Sequence, residues 1–288
     1  DKPAGRGGQL TAPPVKALAV QLGLPVIQPK SARTGELRDA LAASGAELAI
    51  VVAYGKILPK DVLEALPRGF INVHVSLLPK YRGAAPIQWA VIDGETETGV
   101  SIMQLDEGMD TGPVLLENKV AIDPAWTSGD LVEHLKTVAP LALQAALLMI
   151  EQGRARPKAQ DHAQATHARM LTKADGAIDF REPAAKVASR IRGVDPWPGA
   201  QAVLRGQVVK LFRARADAGQ GTAPAGSGEP GTVVAIDADG AHIAAGGGIV
   251  VVRELQLPGK KRMPAAQLVN GRALAVGDVL TKPEIAPA

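Results

Sequence analysis

The sequence predicts an α/β domain with a mostly parallel sheet, followed by a small β-barrel. Apolar strand-like runs alternate with helical patterns between residues 12 and 151, which is typical of a sheet covered by helices on both faces. Short alternating strands broken by glycines fill the chain after residue 200, a spacing typical of a barrel or meander. We therefore expect domains at 1–155 and 181–288, with a linker at 156–180.

The distribution of charge supports this division. Residues 1–150 carry 13 Lys and Arg against 16 Asp and Glu, whereas residues 151–288 carry 19 against 13. Most of the basic excess lies in 151–213, with 12 basic residues and 6 acidic ones. Such an excess indicates either a surface for a polyanion or a solvated basic surface without a partner.

Composition excludes several classes of protein. The 288 residues are 46% hydrophobic, enough to bury a core in each of one or two domains. Without cysteine there is no thiol nucleophile, iron–sulfur cluster, cysteine zinc site or disulfide. Aromatic residues make up only 3%, so base-stacking platforms are not expected. No stretch approaches the ~18 apolar residues of a membrane span, and we expect a cytoplasmic monomer that contacts no membrane.

The segments of the first half carry individual signals. Thr11, prolines in the first turn and Gly23 predict a helix over 11–23. Thr127 and Asp130 stand at capping-box spacing before a long helix that Gly153 follows. The other predicted helices are GELRDALAASG, KDVLEALPRG and GAAPIQWAVIDG, and the predicted strands are LPVIQ, ELAIVVAYG, FINVH, TGVSIMQL and GPVLLENKVAI.

The second half begins without periodicity. Residues 152–180 are rich in Gly, Lys, Arg and Gln, which predicts the linker. EPAAKVASRIRG then predicts a helix, and DAGQGTAPAGSGEPG predicts a flexible barrel loop. The predicted barrel strands are AQAVLRG, QVVKLFRA, GTVVAID, AHIAAG and GIVVVREL.

Two polar residues end the predicted buried strand FINVH. Asn72 and His74 are two positions apart, so their side chains share one face at the carboxyl end, where ligands of α/β sheets bind. A lone histidine here is more often a satisfied core residue, but the paired amide favours chemistry. An amide and an imidazole together can stabilise an oxyanion at a carbonyl carbon. The turn Ser76-Leu77-Leu78-Pro79 follows, and its backbone groups are expected to line the pocket.

The glycine-containing loop QLDEGMDTGPV supplies a carboxylate. Asp110 is expected to reach inward and hold the imidazole charged and oriented, whereas Asp106 and Glu107 suit a surface turn. Other patterns of metal-binding or catalytic residues are not met by this sequence. His162 and His167 lie five positions apart in a polar segment, so no metal site is predicted. Ser76, His74 and Asp110 are the residue types of a hydrolase triad, but a nucleophile elbow is lacking.

The segments NVHVSLLP and KYRGAAPIQWAVIDGETETGVSIMQLDEGMDTG resemble the folate-dependent formyltransferases, which have an Asn, His and Asp active site. RGAAPIQW, PAGRGG, DPWPG, PGKKRM and the barrel narrow the resemblance to members that act on an aminoacylated initiator tRNA. This resemblance implies a Rossmann-like domain and an OB-like barrel. It also implies formyl transfer from 10-formyltetrahydrofolate, consumed as a co-substrate with no tightly bound cofactor, to the α-amine of methionine on that tRNA.

The resemblance also assigns roles to residues. Asn72 and protonated His74 would stabilise the oxyanion, and Asp110 would sustain His74 and help move the amine proton. The residues implied in folate binding are Ser76, Leu77, Leu78, Pro79, Ala53, Tyr54 and Gly55. Those implied in tRNA binding are Arg6, Lys2, Arg169 and Lys173.

Two departures from the family pattern accompany the resemblance. Val75 stands where Gly or Ala is common, although its side chain points away from the Asn72 and His74 face. The chain starts at Asp1 without a Met, so we expect a fragment that lacks the family's opening strand–helix–strand.

Alternative functions share the same catalytic residues. A formyltetrahydrofolate hydrolase would use water in place of the amine and would not need a basic barrel. A small-molecule amine formyltransferase would lack PAGRGG, and an RNA-binding protein on a dead scaffold is disfavoured by the intact Asn72, His74 and Asp110.

Overall fold

The computed structural model describes residues 1–4, 9–217 and 228–284. Its first half contains the following strands: β1 (Lys2–Ala4), β2 (Gln9–Thr11), β3 (Ala49–Val51), β4 (Phe70–His74), β5 (Arg82–Gly83), β6 (Glu97–Gln104) and β7 (Val114–Ala121). The helices of this half are α1 (Pro14–Gln21), α2 (Glu36–Ala43), α3 (Lys60–Leu63), α4 (Pro86–Ile92) and α5 (Ser128–Glu151).

The sheet of the first half has the order β3-β4-β6-β7. β3 and β4 run parallel, with Val51 opposite Asn72. β6 joins β4 and β7 by antiparallel pairing. The carboxyl ends of β3 and β4 therefore lie at the same edge, where Asn72 and His74 stand.

Both faces of β4 are covered because its residues alternate between two apolar clusters. Phe70 packs with Val62 and Leu66, beside α3. Ile71 and Val73 belong to the cluster that includes the apolar face of α5. Because side chains two apart share a face, Asn72 and His74 lie on the Phe70 side.

The predicted strand LPVIQ is wrong, since residues 22–28 form no strand. Leu24 and Ile27 are more than half exposed, and no neighbouring strand in the described part of the chain bonds to them. Pro25 within this stretch and Pro29 directly after it lack the N–H that a ladder requires.

The capping box of α5 is confirmed: the Thr127 side chain accepts from the Asp130 N–H, and the Asp130 carboxylate accepts from the Thr127 N–H. By length and composition α5 is long and apolar enough to cross a membrane, contrary to the sequence expectation. Its Leu131 and Leu135 are buried against the sheet. The core helix of a soluble protein meets the same criteria of length and composition, so this feature by itself is only weak evidence for a membrane span.

The segment after α5 contains two 3₁₀ helices (His162–Gln164 and Lys173–Gly176) and β8 (His167–Ala168). β8 pairs in parallel with β5. The remaining elements are α6 (Ala184–Gly193), β9 (Ala200–Leu204), β10 (Gln207–Asp217), β11 (Val233–Asp237), β12 (Gly240–Ala245), β13 (Gly248–Gln256), β14 (Met263–Pro264), α7 (Ala265–Leu268) and β15 (Leu280–Thr281).

The second half is a curled antiparallel sheet of order β11-β12-β13-β10-β9-β15, with β14 beside β13. Its two ends meet, because Thr232 bridges Val279 and the Leu280 N–H donates to Gly231 O. Residues of α6, including Val187 and Ile191, pack into the core of this sheet. The predicted fold class, an α/β domain followed by a small barrel, is confirmed, although of the three strand pairings described in the first sheet only β3 with β4 is parallel.

Candidate active site

Asn72, His74 and Asp110 meet at the carboxyl edge of β4. Asn72 Nδ2 lies 3.4 Å from Asp110 Oδ1, and His74 Nδ1 lies 3.6 Å from Asp110 Oδ2. Asn72 and His74 are buried, and the Asp110 side chain is 15% exposed. The expected grouping of an amide, an imidazole and a carboxylate is therefore present in the structure.

The orientation of His74 is fixed by a backbone carbonyl. His74 Nε2 lies 2.9 Å from Tyr81 O. Because a carbonyl oxygen only accepts, Nε2 carries a proton and donates it. Nδ1 is then the nitrogen that gains or loses a proton, and it faces the Asp110 carboxylate.

Tyr81 itself is held by the two acidic residues that its ring reaches. Its hydroxyl is 3.1 Å from Asp93 Oδ2 and 3.0 Å from Glu95 Oε1. Burial raises the pKa of the Tyr81 phenol, and the charges of Asp93 and Glu95 raise it further. The ring thus stays neutral and anchors the carbonyl that orients His74.

The Asp110 loop is shaped by positions that tolerate little change. Asp110 adopts a left-handed φ of 52°, which aspartate tolerates better than most residues. The Gly83 N–H donates to Asp110 Oδ2 at 2.8 Å. A Cβ at Gly83 would lie 2.8 Å from Ala168 O, and one at Gly112 would lie 2.0 Å from Gln104 O. Both glycines are needed for close backbone approach.

The remaining acidic residues of that loop lie outside the trio formed by Asn72, His74 and Asp110. Asp106 accepts from the Gly108 N–H and the Thr111 hydroxyl, so it caps the turn. Glu107 is exposed, and its Oε1 lies 3.9 Å from Lys60 Nζ. Both agree with the surface turn expected from the sequence.

The turn after β4 is occupied by internal hydrogen bonds. The Ser76 hydroxyl donates to Lys80 O, and Ser76 O accepts from the Ser101 hydroxyl. The Leu78 N–H donates to the same Ser101 oxygen. These groups are therefore not free for a ligand, and the parts of the turn left partly exposed are Leu77 and Pro79.

The loop after β3 lies at the same edge as the trio. Ala53, Tyr54 and Gly55 are exposed, and Ala53 and Gly55 have positive φ. Since Val51 stands opposite Asn72, this loop extends beyond the polar end of β4. Its exposure leaves it open to a ligand.

The four basic residues assigned to tRNA differ in what the structure describes. Arg6 lies outside the described residues, and for Lys2 only the backbone, in β1, is described. Arg169 donates twice to Asp175, at 2.9 and 2.5 Å, and its guanidinium stacks 4.9 Å from the centre of the Trp89 ring. Lys173 is exposed in its 3₁₀ helix, and no ion pair is described for it.

Many other cations of the basic region are also paired. Burial raises the pKa of Asp175, but hydrogen bonds from Arg169 and Thr172 outweigh it and lower this pKa to about 2. Ion pairs likewise join the following residues: Arg181 to Asp179, Lys186 to Glu182, Arg205 to Asp278 and Arg213 to Asp130. The number of basic residues in 151–213 therefore overstates the charge available to a polyanion.

Sequence reasoning missed the groups that hold the trio. Tyr81 and Gly83 bond to His74 and Asp110 through the backbone, which no residue pattern reveals. Gln160 lies in the predicted linker, yet its amide is buried beside the Asp110 loop. The one usable signal was the YRG segment directly after the turn.

A cavity of about 720 Å³ lies elsewhere, between α4, α6 and the segment around Asp175. Basic and acidic side chains, including Arg190 and Glu182, line it together. None of the trio lies on its wall, so we place the chemistry at the edge of β4 rather than in this cavity.

Two family models of known proteins match separate parts of this chain. A family model described as formyl transferase matches residues 1–147, and one for the formyl transferase C-terminal domain matches residues 170–273. A methionyl-tRNA formyltransferase from Desulfotalea psychrophila is 47% identical over 280 residues, which are 97% of this chain and 85% of that protein. The enzyme of the same name from Sorangium cellulosum is 46% identical over 282 residues, 97% of this chain and 89% of that protein.

Solved structures share the fold at lower identity. An N-formyltransferase from Helicobacter canadensis, in complex with folinic acid and dTDP-3-aminofucose, has a TM-score of 0.64 at 15% identity, covering 82% of this chain and 80% of that one. HypX from Aquifex aeolicus, in complex with tetrahydrofolic acid, has a TM-score of 0.59 at 19% identity, covering 83% and 41%. The fold and the two family models define a formyl-group transferase.

At 41–48% identity to curated enzymes of that name, this chain belongs to the methionyl-tRNA formyltransferase family.

Proposed function

We propose that this chain transfers the formyl group of 10-formyltetrahydrofolate to the α-amine of methionine on initiator tRNA, for translation initiation. The observation that carries the proposal is the convergence of Asn72, His74 and Asp110, with His74 Nδ1 3.6 Å from Asp110 Oδ2. An amide donor, an imidazole and a carboxylate suit attack of an amine on a carbonyl carbon.

In the proposed reaction the amine nitrogen bonds to the formyl carbon, and the carbonyl electron pair moves to oxygen. Asn72 Nδ2 and the protonated Nδ1 of His74 stabilise this oxyanion. Nε2 is not available, because it already donates to Tyr81 O. The 3.6 Å gap between Nδ1 and Asp110 exceeds a hydrogen bond, so Nδ1–H is not committed to that carboxylate and can donate to the oxyanion.

Collapse of the tetrahedral intermediate re-forms the carbonyl and breaks the bond to N10 of the folate. The attacking amine becomes an amide and loses a proton, and the leaving nitrogen gains one. Asp110 is the candidate carrier, since its carboxylate is partly exposed and lies against both Asn72 and His74. Tetrahydrofolate leaves as a product, so the folate acts as a co-substrate.

The proposed folate site consists of the exposed loop at Ala53, Tyr54 and Gly55 and the turn at 76–79. The support for it is position: both segments extend beyond the carboxyl edge that carries the trio. Leu77 and Pro79 offer apolar contact, whereas the bonded groups of Ser76 and Leu78 shape the turn.

The proposed tRNA surface lies in the second half and in the glycine-rich segment near the start of the chain. Lys173 is the best supported contact, because it is exposed without a described ion pair. Arg169 would have to exchange Asp175 for a phosphate. Arg6 stays the proposed selector of the acceptor end, and Lys2 stays a proposed tRNA contact. The domain limits at 155 and 180, the cytoplasmic location and the monomeric state stay predictions.

The test adds formyl-labelled 10-formyltetrahydrofolate with initiator methionyl-tRNA, elongator methionyl-tRNA or neither. We expect label on the initiator tRNA only. Release of formate without tRNA at the same rate would instead identify a hydrolase, and transfer to a small amine in preference to tRNA would identify a small-molecule formyltransferase.

A further inference from the structure

Arg82 is a buried cation that the proposed reaction does not use. Its side chain is only 4% exposed, and within the described ranges no carboxylate forms an ion pair with it. Its guanidinium instead donates to neutral acceptors: Nε and Nη2 to Gln160 Oε1, at 3.1 and 2.6 Å, and Nη2 to His162 Nδ1 at 3.1 Å. Burying an arginine without a counter-ion costs free energy, so we expect this side chain to have a specific role.

The amide of Gln160 carries this contact to the Asp110 loop. Its oxygen accepts both bonds from Arg82, so its nitrogen must face the other way. Gln160 Nε2 donates to Asp110 O at 2.9 Å and to Gly112 O at 2.7 Å. Both carbonyls flank the left-handed turn that aims the Asp110 carboxylate.

The backbone on either side of Arg82 contacts the trio directly. Tyr81 O accepts from His74 Nε2, and the Gly83 N–H donates to the Asp110 carboxylate. β5 is fixed by its pairing with β8 and by a bond from the Arg82 N–H to Thr166 O at 2.9 Å. Three consecutive residues thus set the positions of His74 and Asp110.

We propose that Arg82, acting through Gln160, is a positioning residue that holds the Asp110 carboxylate at His74 Nδ1. The pair is called the Arg82–Gln160 clamp below, and its role in formyl transfer rests on the function proposed above. Neither residue touches substrate. Two N–H groups of the guanidinium converge on the amide oxygen, and the amide nitrogen donates to two backbone carbonyls of the Asp110 loop. The amide is therefore held from both ends and restrains the backbone of that loop.

The sharpest variant is Gln160→Glu. The new carboxylate still accepts from Arg82 and supplies a counter-ion, but it has no N–H for Asp110 O and Gly112 O. The turn is then free to shift, and a displacement of about 1 Å in a reacting group costs on the order of 10²-fold. We expect kcat to fall ~10- to 100-fold, while the KM for formyl-folate and for tRNA stays within about twofold.

Arg82 gives a graded series on the other side of the clamp. Arg82→Lys keeps one donor nitrogen for Gln160, and Arg82→Met keeps none. We therefore expect kcat to be lower in Arg82→Lys than in the parent, and lowest in Arg82→Met. Arg192→Met is the matched control, because the guanidinium of this arginine also donates to neutral acceptors, here Ala214 O and the Ser189 hydroxyl. It should lower the melting temperature without lowering kcat.

A spectroscopic measurement separates the clamp from the overall function. The protein has five histidines, and a His74→Asn difference spectrum assigns the imidazole ¹⁵N signals of His74. In Gln160→Glu the Nδ1 signal and its dependence on pH should change, while the Nε2 signal, held by Tyr81 O, should stay.

An unchanged Nδ1 signal together with an unchanged kcat would overturn the clamp. A loss of kcat that merely follows the melting temperature, so that Arg192→Met loses as much kcat as a clamp variant of equal melting temperature, would overturn it as well. Absence of transfer by the unmodified protein would refute the proposed function instead, and the Nδ1 signal would still decide whether the clamp positions Asp110.

Discussion

The edge of β4 and the basic region at 151–213 are organised in opposite ways. At the edge, Asn72, His74 and Asp110 are joined by short contacts to one another and to fixed backbone groups. In the basic region many cations are neutralised by carboxylates, as Arg169 is by Asp175. Geometry therefore decides what the edge can do, whereas the available charge, rather than the number of basic residues, decides what the basic region can bind.

The two regions are also physically connected. β5, which supports the trio, pairs with β8, and Gln160 bonds to the Asp110 loop. A cut at residue 155 would remove both supports and damage the edge together with the second half. Point substitutions in the complete chain are consequently the right way to separate catalysis from recognition.

The largest effect is expected at the oxyanion donors. Asn72→Ala or His74→Ala should lower kcat by ~10²- to 10³-fold, because each removes a donor that acts in the transition state. The double variant should lose much less than the product, since the two residues act as a unit. Asn118→Ala, which changes an exposed side chain of β7, is the control in steady-state assays. Near-normal turnover of Asn72→Ala would refute the assignment.

A somewhat smaller effect is expected for Asp110→Asn. The amide keeps the shape but loses the charge that favours a proton on His74 Nδ1, so kcat should fall by about 10²-fold. The limb of the pH–rate profile that reports protonated His74 should also move to lower pH. Rates measured from pH 5 to 9 check this. If the parental rate and profile were retained, Asp110 would be only a turn residue.

The basic region should respond through binding. Lys173→Ala should weaken tRNA binding several-fold and reduce the slope of log K against log salt by about 1, the effect of one lost phosphate contact. Arg169→Ala should change the slope less, because Asp175 already holds that guanidinium. Binding titrations at several salt concentrations measure both. Equal slopes for Lys173→Ala and the parent would remove Lys173 from the surface.

The smallest effect concerns stability in acid. The folded-state pKa of Asp175 is lowered to about 2, below the ~3.9 of an unfolded chain. Its contribution is thus present above pH 4 and disappears as the pH falls through 2. Because the Arg169 side chain is 56% exposed, Arg169→Met should cost only about 1 kcal/mol at pH 6.

Urea unfolding of Arg169→Met and the parent, from pH 6 down to pH 2, follows that difference in unfolding free energy. The gap should close at the acid end. A gap independent of pH would mean that the packing of Arg169 on Trp89, rather than its charge, provides the stability.

The sequence predicted what periodicity and local signals determine. The buried run that ends in an amide and an imidazole located β4 and its polar end, and the capping box located the start of α5. Asp110 was found because a glycine-containing loop with an acidic residue follows a predicted strand. All three residues of the trio could therefore be named from the sequence alone.

Other features depend on partners that are distant in sequence. The pattern of LPVIQ is apolar enough for a strand, but no neighbouring strand among the described residues pairs with it, and Pro25 within it and Pro29 after it lack a backbone N–H. Gln160 lies 50 residues from Asp110. Nothing in the local sequence distinguishes it from the other polar residues of the predicted linker. The neutralisation of Arg205 by Asp278 across 73 positions is equally invisible to a count of charges.

The most direct test combines one variant from each region. Asn72→Ala, Lys173→Ala and the double variant are assayed for kcat/KM with initiator methionyl-tRNA. If the edge of β4 performs the chemistry and the basic region binds the tRNA, Asn72→Ala lowers kcat, Lys173→Ala raises the KM for tRNA, and the two losses multiply, as expected for independent sites. If both substitutions change the same parameter, or if the double variant is no worse than Asn72→Ala alone, this division of function is contradicted.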